Sequence, residues 1–207
     1  MPYELINPYL CKLQENEKSG LIESNEREFT DGIFIYVPDN TKVENPFQIV
    51  SLVNSREDLL VQNHNVIYVG NNSELSIIQC DDSTKYGKTF INVVTEITLS
   101  ENARLHYYKT ENKEAESMLF NHIFVNQKAY SQFHSNAITF NAGYVCNDIH
   151  VNLNEPFAEA NLYGLYLVDK TQKCNNHIQV RHHATDCKSS QLYKGIMDDE
   201  SEATFHG

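Results

Sequence analysis

From Ile33 onward the apolar positions of this chain fall in short runs with the texture of strands. Runs of four to eleven residues rich in apolar, β-branched and aromatic side chains recur in twelve places, among them Ile33–Val37, Phe47–Val53, Leu75–Cys80, Leu105–Tyr108, Met118–Val125, Tyr144–Leu153 and Gln191–Met197. Turn-prone pieces separate them, such as Pro38-Asp39-Asn40, Gly70-Asn71-Asn72 and Asp198-Asp199-Glu200-Ser201. After residue 30 no segment of 12 or more residues holds a helical period. Residues 1–30 differ. Leu5–Leu13 is mildly amphipathic and a polar Glu/Asn/Lys-rich stretch follows, which predicts a short helical or irregular lead-in. The expected organisation is a lead-in over 1–30 and an all-β domain over 31–207.

Two strand-like phrases repeat in step. One begins at Asn92, Asn121, Asn147 and Asn176, at steps of 29, 26 and 29 residues. The other pairs an apolar residue with His or Tyr: Leu105-His106, Phe133-His134, Leu162-Tyr163 and Leu192-Tyr193, at steps of 28, 29 and 30. All-β chains with short, even strands are usually sandwiches or barrels. A shared period near 28 residues favours a stacked solenoid instead, because a parallel β-helix lays each coil about 4.8 Å over the last and puts like residues over like. About six coils, a column roughly 30 Å tall, fit the length after residue 33.

Side-chain alternation then assigns faces. Ile123, Val125, Ile149, Val151, Ile178 and Val180 share a parity and should point inward. Asn121, Asn147 and Asn176 share it too, so they either form an inward ladder of amides or simply open their strands after a turn. His122, Asp148 and His177 should stack outside, with Phe124, His150 and Gln179 in the next outward column. That outer column either holds a metal at the surface or is a solvated face. The apolar–His/Tyr phrase reads as an apolar residue inside and an aromatic one outside.

Composition narrows the function classes. Net charge is −12 and the basic residues are scattered, which disfavours nucleic acid as a partner. No apolar run reaches the roughly 18 residues of a membrane helix, and the N-terminus lacks the pattern of a signal peptide. Five cysteines, odd in number and widely spaced, argue against a disulfide framework and for a reducing, cytoplasmic setting.

The densest set of potential ligands is Cys174, His177, His182 and Cys187, with His183 beside them. Cys and His suit zinc or iron–sulfur chemistry, but the spacing is not that of paired knuckles, and small cysteines at strand ends read equally well as packing residues. Nucleotide-binding, GxSxG and HExxH signatures are missing. The acidic pairs Asp81-Asp82 and Asp198-Asp199 read as solvated turns. A carbohydrate-active β-helix would need carboxylates clustered on one face. A purely structural β-solenoid would usually carry an export signal.

The C-terminal stretch carries a more specific pattern: Asn176-His177-x-x-x-x-His182, then Ser189-x-Gln191-x-Tyr193-Lys194-Gly195-Ile196, then Ala203-x-Phe205-x-Gly207. This closely resembles the core of the SufB/SufD family of iron–sulfur cluster assembly proteins, with a weaker match back to about residue 30, and it looks more like SufD than SufB. The resemblance implies a right-handed parallel β-helix and a non-catalytic scaffold that pairs with SufB-like and SufC-like subunits. An iron–sulfur cluster is then held transiently in the full complex. In the family the chain continues into further coils, a Cys-x-His-Gly segment and helices that dock SufC. This chain therefore reads as truncated after the β-helix core, with Phe205, one period beyond Ile178, in a strand of the next coil. An open coil presents unpaired backbone groups, so self-association through that end is expected.

Overall fold

A computed structural model describes residues 6–13, 19–54, 56–83, 88–112, 116–141 and 143–207. Residues 1–5 and 14–18 of the expected lead-in lie outside the described residues. Among the described residues, helix α1 (Gly20–Glu28) precedes thirteen strands. Ser19 caps it: its hydroxyl accepts the Ile22 amide at 3.4 Å, as an N-terminal serine does for otherwise orphaned helix N–H groups.

The strands alternate between two parallel sheets, as expected of a β-helix. β1 (Phe34–Val37), β3 (Leu59–Val69), β5 (Thr89–Leu99), β7 (Ser117–Gln127), β9 (Tyr144–Leu153), β11 (Lys173–His182) and β13 (Glu202–His206) stack in that order in one sheet. β2 (Phe47–Val53), β4 (Glu74–Ser83), β6 (Arg104–Asn112), β8 (Gln132–Asn141), β10 (Glu159–Val168) and β12 (Lys188–Met197) stack in the other. Each coil is one strand of each sheet. Inward-facing Ile97, Leu99, Leu105, Ile123, Phe133, Val151, Leu162 and their neighbours fill the space between the sheets.

Coil length is not constant, and most of the variation sits at one corner. An odd strand and the tight corner after it keep the same length in three successive coils, from Leu59 to Glu74, Thr89 to Arg104 and Ser117 to Gln132. The rest of the coil, with the wide corner, shortens at each step, from Lys42 to Leu59, then Glu74 to Thr89, then Arg104 to Ser117. Higher up, the tight corner itself takes in a single extra position between Leu153 and Glu159. At the tight corner, Asn40, Asn72, Asn102, Tyr130, Phe157 and Asp186 all adopt positive φ. Asn tolerates the left-handed region because its short amide can bond locally, and here the amides stack: Asn72 Nδ2 donates to Asn40 Oδ1 at 3.1 Å, and Asn102 Nδ2 to Asn72 Oδ1 at 3.0 Å. Tyr130 and Phe157 continue the column with rings 4.9 Å apart.

Uneven coils put some expected alignments out of phase. Asn121 lies over Val93, not Asn92. Asn92 therefore faces outward, where its Nδ2 donates to the Leu21 carbonyl of α1 at 2.8 Å. In the second phrase, Leu162 lies over Ser135 rather than Phe133, a slip that keeps it inside. Gln191 lies over Leu162, so Leu192 faces out and Tyr193 faces in. Tyr193 fits because Gly164 lies in the coil beside it: a Cβ there would stand 2.0 Å from Tyr193 Cε1. Gly195 makes the same room for Tyr166. Phe205 does continue the next coil, in β13, but over Asn176 rather than Ile178.

Candidate functional site

Three polar arrangements arise from this geometry. The first is inside the β-helix. The inward parity that brings Leu105 and Tyr107 into the core continues along β6 to Lys109 and Glu111, which are buried. On β4 the same parity brings in Gln79 and Asp81. Lys109 Nζ stands 3.4 Å from both Asp81 Oδ2 and Glu111 Oε1. Glu111 also accepts Thr139 Oγ1 at 2.7 Å and Asn121 Nδ2 at 2.7 Å. The three inward asparagines make the ladder allowed by their parity: Asn121 Nδ2 donates to Asn147 Oδ1 at 2.9 Å, and Asn147 Nδ2 to Asn176 Oδ1 at 3.1 Å. A cavity of about 110 Å³ at one end of this polar column is lined in part by Asp31, Asn63, Asn65, Gln79 and Asp81. Asp81 is thus no solvated turn residue; it sits within β4 and faces the core, whereas Asp199 does lie in a turn, at φ 53°.

The second arrangement fastens the lead-in to the outer face of the odd-strand sheet. Glu96, on β5, is buried. One carboxylate oxygen accepts the Cys11 amide at 2.5 Å, and the other accepts the Lys12 and Leu13 amides at 2.7 Å each. Cys11 has φ 57°, so the three successive N–H groups converge on the anion as a nest. His64 Nε2 lies 2.8 Å from Glu96 Oε1, and its Nδ1 lies 2.8 Å from Asn25 Oδ1 of α1. Ile22 and Leu13 then pack on Val94 and Phe124 of the sheet.

The third is also on that outer face. The register places His122, Asp148 and His177 over one another, as alternation predicts. The next column, Phe124, His150 and Gln179, forms as well: the Phe124 and His150 rings stack at 5.2 Å, and His150 Nδ1 lies 3.2 Å from Gln179 Oε1. Three imidazoles surround one carboxylate. Asp148 Oδ1 is 2.8 Å from His177 Nδ1 and 2.9 Å from His150 Nε2, and Oδ2 is 3.4 Å from His122 Nδ1. Burial works to raise the Asp148 pKa, but the imidazoles of His122, His150 and His177 outweigh it and hold the carboxyl well below its usual range.

The other sequence candidates go elsewhere. Cys174 points into the core, on the face of β11 opposite His177, and Asn176 Nδ2 reaches its sulfur at 3.4 Å. Burial first, and the Glu111 carboxylate next, push its thiol up to about 12. His182 is exposed and bonds Ser189 Oγ at 3.0 Å, while the Cys187 thiol donates to the Glu155 carbonyl at 3.3 Å. Only His177 of the four joins a cluster with metal-ligand spacing among the described residues. The sequence reading missed Lys109, Glu111, Glu96 and His64. The first two were detectable by extending the β6 alternation past Tyr108.

Comparison with known proteins adds to this picture. Residues 51–207 match the family described as SUF system FeS cluster assembly, SufBD core domain, and residues 2–49 match the SufBD protein N-terminal region. Among curated proteins, the chain is 22% identical over 192 residues to the iron-sulfur cluster assembly SufBD family protein slr0076 of Synechocystis, covering 88% of this chain and 42% of that protein. It is 24% identical over 186 residues to the iron-sulfur cluster assembly protein SufD of Bacillus subtilis, covering 85% of this chain and 40% of that protein. The chain thus spans about two fifths of the length of these relatives.

Proposed function

The chain belongs to the SufBD family, and from that premise we propose that it is a non-catalytic, SufD-like scaffold subunit in iron–sulfur cluster assembly. In this reading it acts in the cytoplasm beside a SufB-like subunit and a SufC-like ATPase, and the cluster is cargo of the complex. The observation that carries the reading is the core-domain match over residues 51–207, which takes in the stacked coils from β3 onward. The architecture suits the role. Parallel coils present long, regular sheet faces, while an interior of paired charges and amide ladders keeps those faces in register. A scaffold needs such a surface more than a cleft.

Co-expression with SufB-like and SufC-like proteins, followed by affinity capture and size-exclusion chromatography, tests it. A complex that contains both partners is the expected result. A folded chain that retains neither partner, in this form or within a longer parent protein, overturns the reading.

A further inference from the structure

We propose that Asp148, His150 and His177 bind a first-row divalent metal ion of the zinc and iron(II) class on the outer face of the odd-strand sheet. The ligand atoms of these three side chains all lie within 4.8 Å of one another. They sit on two adjacent strands, β9 and β11, whose paired register fixes their spacing. Two imidazoles and one carboxylate are a donor set that suits zinc and iron(II), and they leave further coordination positions open. Two nitrogens among three donors also select against magnesium and calcium, which take oxygen.

The fit is close. Ligand bonds of about 2.1 Å at tetrahedral angles put donor atoms about 3.4 Å apart. The Asp148–His177 and Asp148–His150 separations of 2.8 and 2.9 Å need to open by only about half an ångström, the change expected when an ion replaces a shared proton. The second ring nitrogen of His150 is arranged as a ligand requires: Nδ1 faces Gln179 Oε1, which leaves Nε2 for the ion.

An independent observation points the same way. The His122 side chain is only 7% exposed, and neither of its ring nitrogens makes a hydrogen bond of good geometry. Its Nδ1 is nonetheless aimed into the cluster, 3.4 Å from Asp148 Oδ2 in the neighbouring coil. Burying an imidazole whose nitrogens have no well-formed hydrogen bond costs free energy. An ion held by Asp148, with its bound water, would give Nδ1 a partner. Entry is open, because the His177 side chain is about half exposed.

The cluster geometry carries this inference, and it stands with or without the assembly role. The test uses the purified chain without a polyhistidine tag, stripped with a chelator. It is titrated with zinc by calorimetry and with cobalt by visible absorption. One ion per chain is expected. Asp148→Asn and His177→Ala should each lower affinity at least about tenfold, as loss of a ligand does, whereas His182→Ala, away from the cluster, should leave it unchanged. His177→Ala decides the matter if Asp148→Asn does not fold, since the exposed ring contributes little to packing. Absence of stoichiometric binding overturns the proposal. So does binding that survives His177→Ala in a folded chain, or that is lost with His182→Ala instead. None of these outcomes bears on capture of SufB-like or SufC-like partners.

Discussion

Lys109 shows how much rests on single buried charges. It lies between Asp81 and Glu111, and all three side chains are buried. Removing one member of such a set leaves the others charged and desolvated, which costs more than the set contributes when intact. Lys109→Met is expected to destabilise the fold by about 3–5 kcal/mol, measured by urea denaturation. The triple replacement with Asp81→Leu and Glu111→Leu should recover only part of that loss, because Thr139 and Asn121 then lose the Glu111 carboxylate as their acceptor. Cys174 makes a milder case. Its thiol is raised from an ordinary 9.0 to about 12 by burial and by Glu111. The native chain should therefore resist alkylation there at pH 8, with labelling seen by mass spectrometry only after unfolding. The sign of its pH effect follows. Between pH 9 and 12 the unfolded thiol ionises while the folded one keeps its proton. Its contribution is thus full below pH 9 and drains away as pH rises through that window.

Strands and their alternation were legible in the chain; their ends were less so. Leu105–Tyr108 stops short of β6 (Arg104–Asn112), and Leu75–Cys80 stops short of β4 (Glu74–Ser83), because the next inward positions are Lys109, Glu111 and Asp81. A hydrophobic pattern ends where charge begins, but here the strand does not, since each charge finds a partner inside. The outer columns through His122, Asp148 and His177 were readable because alternation is local. The Glu96 clasp was not, because its partners are backbone amides far away in the chain, which leave no mark in side-chain patterns. The clasp joins an irregular segment to a strand, and it should come apart as a unit. Glu96→Gln keeps the shape but weakens the three amide bonds, at a cost of about 2 kcal/mol. Hydrogen exchange at Cys11, Lys12 and Leu13 should quicken at least about tenfold, while the amides of β7 and β9 stay protected. Unchanged exchange at those three residues would show that the carboxylate does not hold the lead-in.

At the scale of the whole molecule, the period was visible and its phase was not. The recurring step announced stacked coils, but Asn92 and Leu192 slipped by one position because coils differ in length, chiefly at the wide corner. That corner sets a sharp contrast between two insertions. One glycine placed between Ile149 and His150 turns every later side chain of β9 to the wrong face and should abolish cooperative thermal unfolding. The same glycine between Lys170 and Thr171, in a turn on the accommodating side, should shift the melting temperature by no more than about 2 °C. The cylinder in this sense has a spine and a fore-edge. Descendants of a common ancestor can gain or shed residues along the fore-edge without any column on the spine losing its neighbours. Gaps between distant relatives should gather mainly along that one line, and a foreign loop or label spliced there would be carried by the stack without being felt by it.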